Sequence, residues 1–134
     1  MVLRDAYLVI NSVNLSAYCA QVELSASLDG VENTAMGATG RTREGGLRDE
    51  QLSVTWRQNY GVSLVDATLW PIYTGGTTVA LEIRPTSSAV STSNPKWTGS
   101  ILLTEYTPIS GEVGDVGEAE TTFLVSGVLT RATS

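Results

Sequence analysis

Three observations predict a mainly β chain: short runs in which apolar and polar residues alternate, turn signals between those runs, and a single stretch with helical character. The expected fold is an antiparallel β-sandwich or barrel-like domain with one short flanking α-helix at about residues 63–72 and a long loop at about residues 36–50. A length of 134 residues fits a single domain, 1–134, large enough to bury a core without disulfides or metals.

The first strand is apolar on both faces, with Tyr7 and Val9 alternating with Leu8 and Ile10, and Asn11 to Asn14 turns the chain. From Cys19 to Leu28 the pattern is that of a half-buried strand: Val22, Leu24, Ala26 and Leu28 share one face, and Gln21, Glu23, Ser25 and Ser27 share the other. Asp29-Gly30 is a turn signal leading into Val31 to Ala35. Met36 to Glu50, MGATGRTREGGLRDE, has four glycines and few apolar residues, and reads as the long loop. It lacks the Gly-Lys-Ser or Gly-Lys-Thr ending of a phosphate-cradling loop, and its arginines alternate with acids. A loop that orders against a neighbouring subunit accounts for it better.

Leu52, Val54, Trp56 and Tyr60 alternate with polar residues and lead into SLVDATLWPIY, Ser63 to Tyr73. Ser63 and Asp66 have the spacing of a capping box; Leu64, Val65, Ala67, Leu69 and Trp70 leave little polar face, so the helix is expected to be buried; Pro71 is expected to end it. Gly75-Gly76 then turns the chain into a strand with Val79, Leu81 and Ile83 on its core face, closed by Pro85. Thr86 to Asn94 is a Ser/Thr-rich surface connection. Trp97 to Thr107 and Ala119 to Arg131 pair as a hairpin across the turn SGEVGDVGE. In the last strand Phe123, Val125 and Leu129 face one way and Leu124 and Val128 the other; the second row lies either under the domain's own helix or against another subunit, which makes Phe123, Leu124 and Val128 candidates for a subunit interface.

The composition removes several chemistries. There is no histidine, which excludes a His-based triad or general base, and no catalytic residue, cofactor site or metal site is assigned. Glu118 with Glu120, and Asp49 with Glu50, sit in charged stretches without the desolvation that carboxylate catalysis needs. The single cysteine, Cys19, reads as a buried, inert thiol. A formal charge of −6 argues against tight nucleic-acid binding while suiting a surface past which DNA slides. The opening MVLRDAYLVI is too short an apolar run for a signal peptide, no stretch reaches membrane-spanning length, and synthesis in a cytoplasm without membrane binding is expected. Asn14-Leu15-Ser16 then matches a glycosylation acceptor by coincidence.

Several segments together resemble the major tail, or tail tube, proteins of tailed bacteriophages. They are INSVNLSAYCAQVEL, with Asn14, Leu15, Ser16, Tyr18, Val22 and Leu24 at the matching positions; TAMGATGRTREGGLRDEQLSVTW; VDATLWPIY; EIRPTSSAVSTSNPKWTGSILLTEYTPISGEVGDV; and the terminal GVLTRAT. The resemblance lies in their order and spacing along nearly the whole chain. It implies a non-enzymatic virion protein that assembles as homo-hexameric rings stacked into a hollow tube, through which phage DNA passes without specific binding. It also implies tape measure, tail tip and tail terminator proteins as partners. By carry-over, Arg41, Arg43, Glu44, Arg48 and Asp49 contact the adjacent ring, and Glu23, Glu82 and Glu105 are candidates for the acidic lumen. The alternatives are another phage tail or virion component, or a stand-alone β-sandwich module for decoration or carbohydrate binding. In that module Trp97 would be the exposed aromatic, with Trp56 and Trp70 in the core.

Overall fold

The computed structural model describes residues 2–134. Its strands are β1 (Tyr7–Ile10), β2 (Val13–Asn14), β3 (Cys19–Glu32), β4 (Arg43–Arg57), β5 (Val79–Arg84), β6 (Lys96–Ser110) and β7 (Glu118–Ala132), with one helix, α1 (Val65–Gly75), between β4 and β5. All seven strands form one antiparallel sheet in the order β2-β1-β5-β6-β7-β4-β3. The sheet has a single apolar face. Leu8, Ile10, Leu52, Val54, Trp56, Leu81, Ile83, Ile101, Leu103, Ala119 and Phe123 point into it, and α1 covers it with Val65, Leu69 and Ile72.

Local chemistry explains the small elements. Asn11 and Ser12 both have positive φ, 52° and 66°, the conformation a tight two-residue hairpin between β1 and β2 requires. Asn14 Oδ1 accepts from the Ser16 amide at 3.0 Å, and Ser16 Oγ in turn accepts from the Leu8 amide at 2.8 Å. The Asn-Leu-Ser triplet is therefore a turn that closes the edge of β1 and buries Leu15 completely. Asn94, 6% exposed, ties the 86–94 connection together, its Nδ2 donating to the Ser88 carbonyl at 2.8 Å and its Oδ1 accepting from the Thr86 amide at 3.1 Å.

The helix departs from expectation at both ends. Ser63 has φ 59° and caps nothing; Leu64 occupies the N-cap, without a side-chain hydrogen bond. The Asp66 amide donates to the Asn59 carbonyl at 3.2 Å, and the Asp66 carboxylate accepts from Tyr106 Oη at 2.7 Å. A tertiary hydrogen bond has taken the carboxylate that a capping box would use. Pro71 does not stop the helix, which runs on to Gly75 and ends at Gly76 in a left-handed conformation, φ 62°, with the Gly76 amide on the Ile72 carbonyl. Burying Leu69 and Ile72 on either side of Pro71 is worth about 1.5–3 kcal/mol each and offsets the roughly 3 kcal/mol cost of an internal proline. The helix is also not buried all round: Trp70 is 48% and Tyr73 45% exposed.

Two further expectations change. The segment Arg43 to Glu50 is strand, not loop: β4 pairs with β3 from Arg43 opposite Glu32 to Trp56 opposite Cys19. Asp29-Gly30 lies within β3 at an irregularity of the ladder, and the chain reverses over residues 33–42 instead. The fourth strand ends at Arg57, so Tyr60 lies beyond it, its hydroxyl donating to the Pro108 carbonyl at 2.8 Å.

Phe123 is fully buried while its neighbour Leu124 is 40% exposed, so truncating the two separates core from surface. Phe123→Ala should cost about 3–5 kcal/mol in urea unfolding, and Leu124→Ser should stay within about 0.5 kcal/mol of the parent. Tyr106, held by Asp66 and Gln58, has its phenol pushed up by burial and by the Asp66 carboxylate. A raised phenol favours the folded state at pH below the ordinary tyrosine range of about 10 and loses that contribution above it. Tyr106→Phe should therefore lower stability by roughly 1 kcal/mol at neutral pH and flatten the decline in stability above pH ~10, measured as unfolding midpoint against pH.

Candidate functional site

The face of the sheet opposite the core is organised by strand register. Cross-strand pairing puts Glu23, Ser53, Thr122 and Glu105 in one row across β3, β4, β7 and β6. The next row is Gln21, Thr55, Glu120 and Thr107, and on the other side lies Ser25, Gln51, Leu124 and Leu102. Four adjacent strands thus present a polar surface dominated by Ser, Thr, Gln and Glu. It becomes apolar toward Leu102, Leu124 and Val128, of which Val128 is 55% exposed.

Of the three acids singled out for the lumen, Glu23 and Glu105 lie in one row, both exposed, and Glu120 joins them one row away. Glu82 is elsewhere on β5 and compensated, with Arg84 Nη2 at 3.4 Å and Lys96 Nζ at 3.9 Å. The three interface candidates separate as well: Leu124 and Val128 are exposed, whereas Phe123 belongs to the core and is unavailable to a partner.

The residues expected to contact another ring lie on an arm. Beyond Leu24 and Leu52, β3 and β4 continue as a two-stranded ribbon that leaves the body of the sheet, exposed on both faces except at Glu50. Arg43 pairs opposite Glu32, Glu44 opposite Val31, Arg48 opposite Leu28 and Asp49 opposite Ser27; Arg41 alone of the five stands in the reversal, 3.9 Å from Glu32. At the tip the Asn33 amide donates to the Thr42 carbonyl at 2.9 Å and Asn33 Nδ2 to Glu44 Oε1 at 2.7 Å. Arg48 is engaged at the root of the arm. Its Nη2 lies 2.5 Å from Oε1 of Glu50, which is 2% exposed, and 3.4 Å from the Leu129 carbonyl.

The body has two unlike ends. One end carries the β6–β7 turn, the start of α1 and the carboxyl end of β4; the other carries the arm, the 86–94 connection and the amino-terminal residues. At the first end, from the Glu23–Glu105 row outward, stand Glu23, Asp66, Glu105, Glu112, Asp115, Glu118 and Glu120, with Arg57 as the one cation among the described residues. Arg57 is itself paired with Glu118 at 2.9 Å. The chain holds 14 acids and 8 bases, so the second end is left with seven of each, and the net charge of −6 resides at the first end.

No protein-family model matches the chain, and no curated protein matches it in sequence. Solved structures do match in shape. A chain of the SPP1 tail tube superposes with a TM-score of 0.77 at 12% identity, covering 97% of this chain and 77% of its own. This is the tail tube fold. A chain in the virion of a native gene transfer agent particle gives a TM-score of 0.78 at 14% identity over 98% of both chains. A chain of the sheath-tube complex of the extracellular contractile injection system PVC gives 0.74 at 11% identity, over 100% of this chain and 92% of its own. At these identities the shared property is the fold.

Aromatic exposure reverses expectation for Trp70 and Trp97 and matches it for Trp56. Trp97 is half-buried against the core, 5.9 Å beneath the Arg131 guanidinium, and Trp56 is fully buried. Trp70 is the exposed indole, its ring centroid 5.4 Å from that of Tyr73. Cys19 is half-buried, and burial pushes its thiol up, away from the reactive thiolate form. Among the described residues no cluster of His, Cys, Asp or Glu has the arrangement of a metal site, and no helix is long and apolar enough to cross a membrane.

Glu50 was the functional-looking residue that sequence missed, because a single acid in a charged stretch gives no sign of burial. Among the described residues its Oε2 has no hydrogen-bond partner, and Arg48 supplies the one ion pair that compensates it. Arg48→Ala should destabilise the fold by about 1–3 kcal/mol, at the lower end because the arginine is half exposed. Adding Glu50→Gln should recover part of that loss, read from chemical denaturation as a double-mutant cycle.

Proposed function

We propose that the chain is a tail tube subunit of a phage or phage-like particle, a structural virion protein that assembles with copies of itself as hexameric rings stacked into a hollow tube. The observation that carries this reading is an open sheet in a tail tube fold. Among the described residues no strand pairs with the outer edge of β3, a strand of 14 residues, and the opposite edge is closed only by the two residues of β2. Long unpaired edges are templates for further pairing, and rings of subunits remove them. Leu124 and Val128, with the half-buried Leu102 beside them, add apolar surface next to the polar rows.

The polar face then lines the channel. Glu23, Glu105 and Glu120, repeated around a ring, make a wall that repels phosphate, and the cation beside them, Arg57, is already paired with Glu118. The arm reaches the next ring. A two-stranded ribbon with both faces in water is marginal alone and gains its order against a neighbour. Arg41 and Arg43 near its tip are the residues assigned to that contact, with Glu44 and Asp49 on the same ribbon, while Arg48 serves the subunit's own fold. Terminator, tail tip and tape measure proteins are the further partners, and DNA is a passenger. The proposed role is structural and non-enzymatic.

Electron microscopy across a concentration series tests this directly. The expected result is hollow rods or rings at high concentration, or rods only after addition to a tail tip complex. Arg41→Glu with Arg43→Glu should abolish rods while leaving rings or folded monomers. Replacing Glu23, Glu105 and Glu120 by Lys should leave rods that retain DNA in a salt-sensitive way. Monomer at every concentration, with no addition to a tail tip, would leave the stand-alone module as the better reading.

A further inference from the structure

At the arm end of the body the sheet's apolar face is not filled. A cavity of about 430 Å³ opens there, walled by Leu24, Ala26, Ile83, Trp97 and Leu129, with Arg48, Glu50 and Arg84 beside them. That is the size of many small-molecule pockets and exceeds the space of one aliphatic side chain. Glu50 Oε2 and Arg84 Nε, both buried, have no hydrogen-bond partner. Those two atoms are sealed from the cavity, and its mostly apolar wall fits an occupant with an apolar side chain.

The far end of the same chain carries such a segment. In the β6–β7 turn, Val113 is fully exposed and Val116 63% exposed, and Ile109 at the end of β6 is 81% exposed. Gly111 and Gly114 leave the turn's backbone uncovered by side chains, while the Gly117 carbonyl is taken by the Gln58 amide at 3.0 Å. Glu112 and Asp115 flank Val113, so the turn is acidic, whereas Arg48 and Arg84 stand at the cavity. We propose that the 111–117 turn of one subunit seats Val113 in this cavity of a second copy, joining the acidic end of one to the arm end of the next. The interface is heterologous. Two acidic ends repel and two cavities leave each other empty, so copies add head to tail and the stack does not close. This deepens the tail tube reading and rests on it: the turn and cavity become a knob and socket between rings, the socket lying at the root of the arm.

Three forms of the full chain test it: the parent, Val113→Asp with Val116→Asp, and Ala26→Trp, which plugs the socket. Each is first checked for a parent-like unfolding midpoint. The parent should form rods, and both variants should form rings whose stacking requires at least about tenfold higher protein, the effect of losing one buried aliphatic side chain per contact. A photoreactive benzophenone side chain at position 113 of the parent should crosslink to peptides holding residues 24–26, 83–85 or 97. Rods at parental concentration from the Val113 and Val116 variant, or crosslinks confined to other segments, would overturn the knob and socket and leave the tail tube reading intact. A parent that forms neither rings nor rods, alone or on a tail tip, would overturn both.

Discussion

The hydrogen bond from Trp56 Nε1 to Thr121 Oγ1, 2.9 Å long and fully buried, holds the register on which the rest of the sheet depends. Thr121 Oγ1 also donates to the Val54 carbonyl, so β4 and β7 are tied through side chains as well as through their ladder. A slip of β4 by one residue would turn Leu52, Val54 and Trp56 outward and leave the buried Thr121 hydroxyl without its indole partner. The same register sets the outer surface. With Val54 opposite Thr121, Ser53 stands opposite Thr122, and Glu23 and Glu105 are carried into one row. The core and the polar outer face are two consequences of one alignment.

That alignment also separates what the subunit satisfies by itself from what it leaves to others. The inner face is covered once, by α1, and only over the part of the sheet that Val65, Leu69 and Ile72 reach. Beyond it lie an unfilled apolar cavity and a ribbon without a core. Outside lies a polar field with an apolar border. A chain designed to remain alone would fill the cavity and blunt the long edge of β3; leaving both open is tolerable in a subunit whose neighbours complete it. The charge distribution agrees, because a neutral end and an end bearing the whole net charge favour one orientation of stacking.

The differences between sequence and structure arise where local preference met a tertiary competitor. Ser63 and Asp66 had capping-box spacing, but Tyr106 on β6 offered Asp66 a better placed donor. Pro71 carries a stop signal that packing of Leu69 and Ile72 overrides, and the true stop, Gly76, sits where a left-handed residue can take the last carbonyl. Arg43 to Glu50 read as loop because both faces of the ribbon are in water, which erases the alternation by which strands are recognised. Trp70 and Trp97 exchanged roles for a related reason: a helix apolar nearly all round gives no sign of which side meets the sheet.

By itself the sequence determined the mainly β fold, the single helix, the hairpin of the two last strands and the two faces of β7, since side-chain alternation with a period of two is a local property. It also determined the absence of histidine chemistry and the acidic excess. Only the tertiary structure decided that Glu23, Glu105 and Glu120 form one surface, that Glu82 and Arg48 are spent on internal ion pairs, that Glu50 is buried, and that the negative charge gathers at one end. Those properties depend on which strands become neighbours and in what register. Pairing across up to about 80 residues of chain, as between Arg48 and Leu129, is settled by the packing of the whole core.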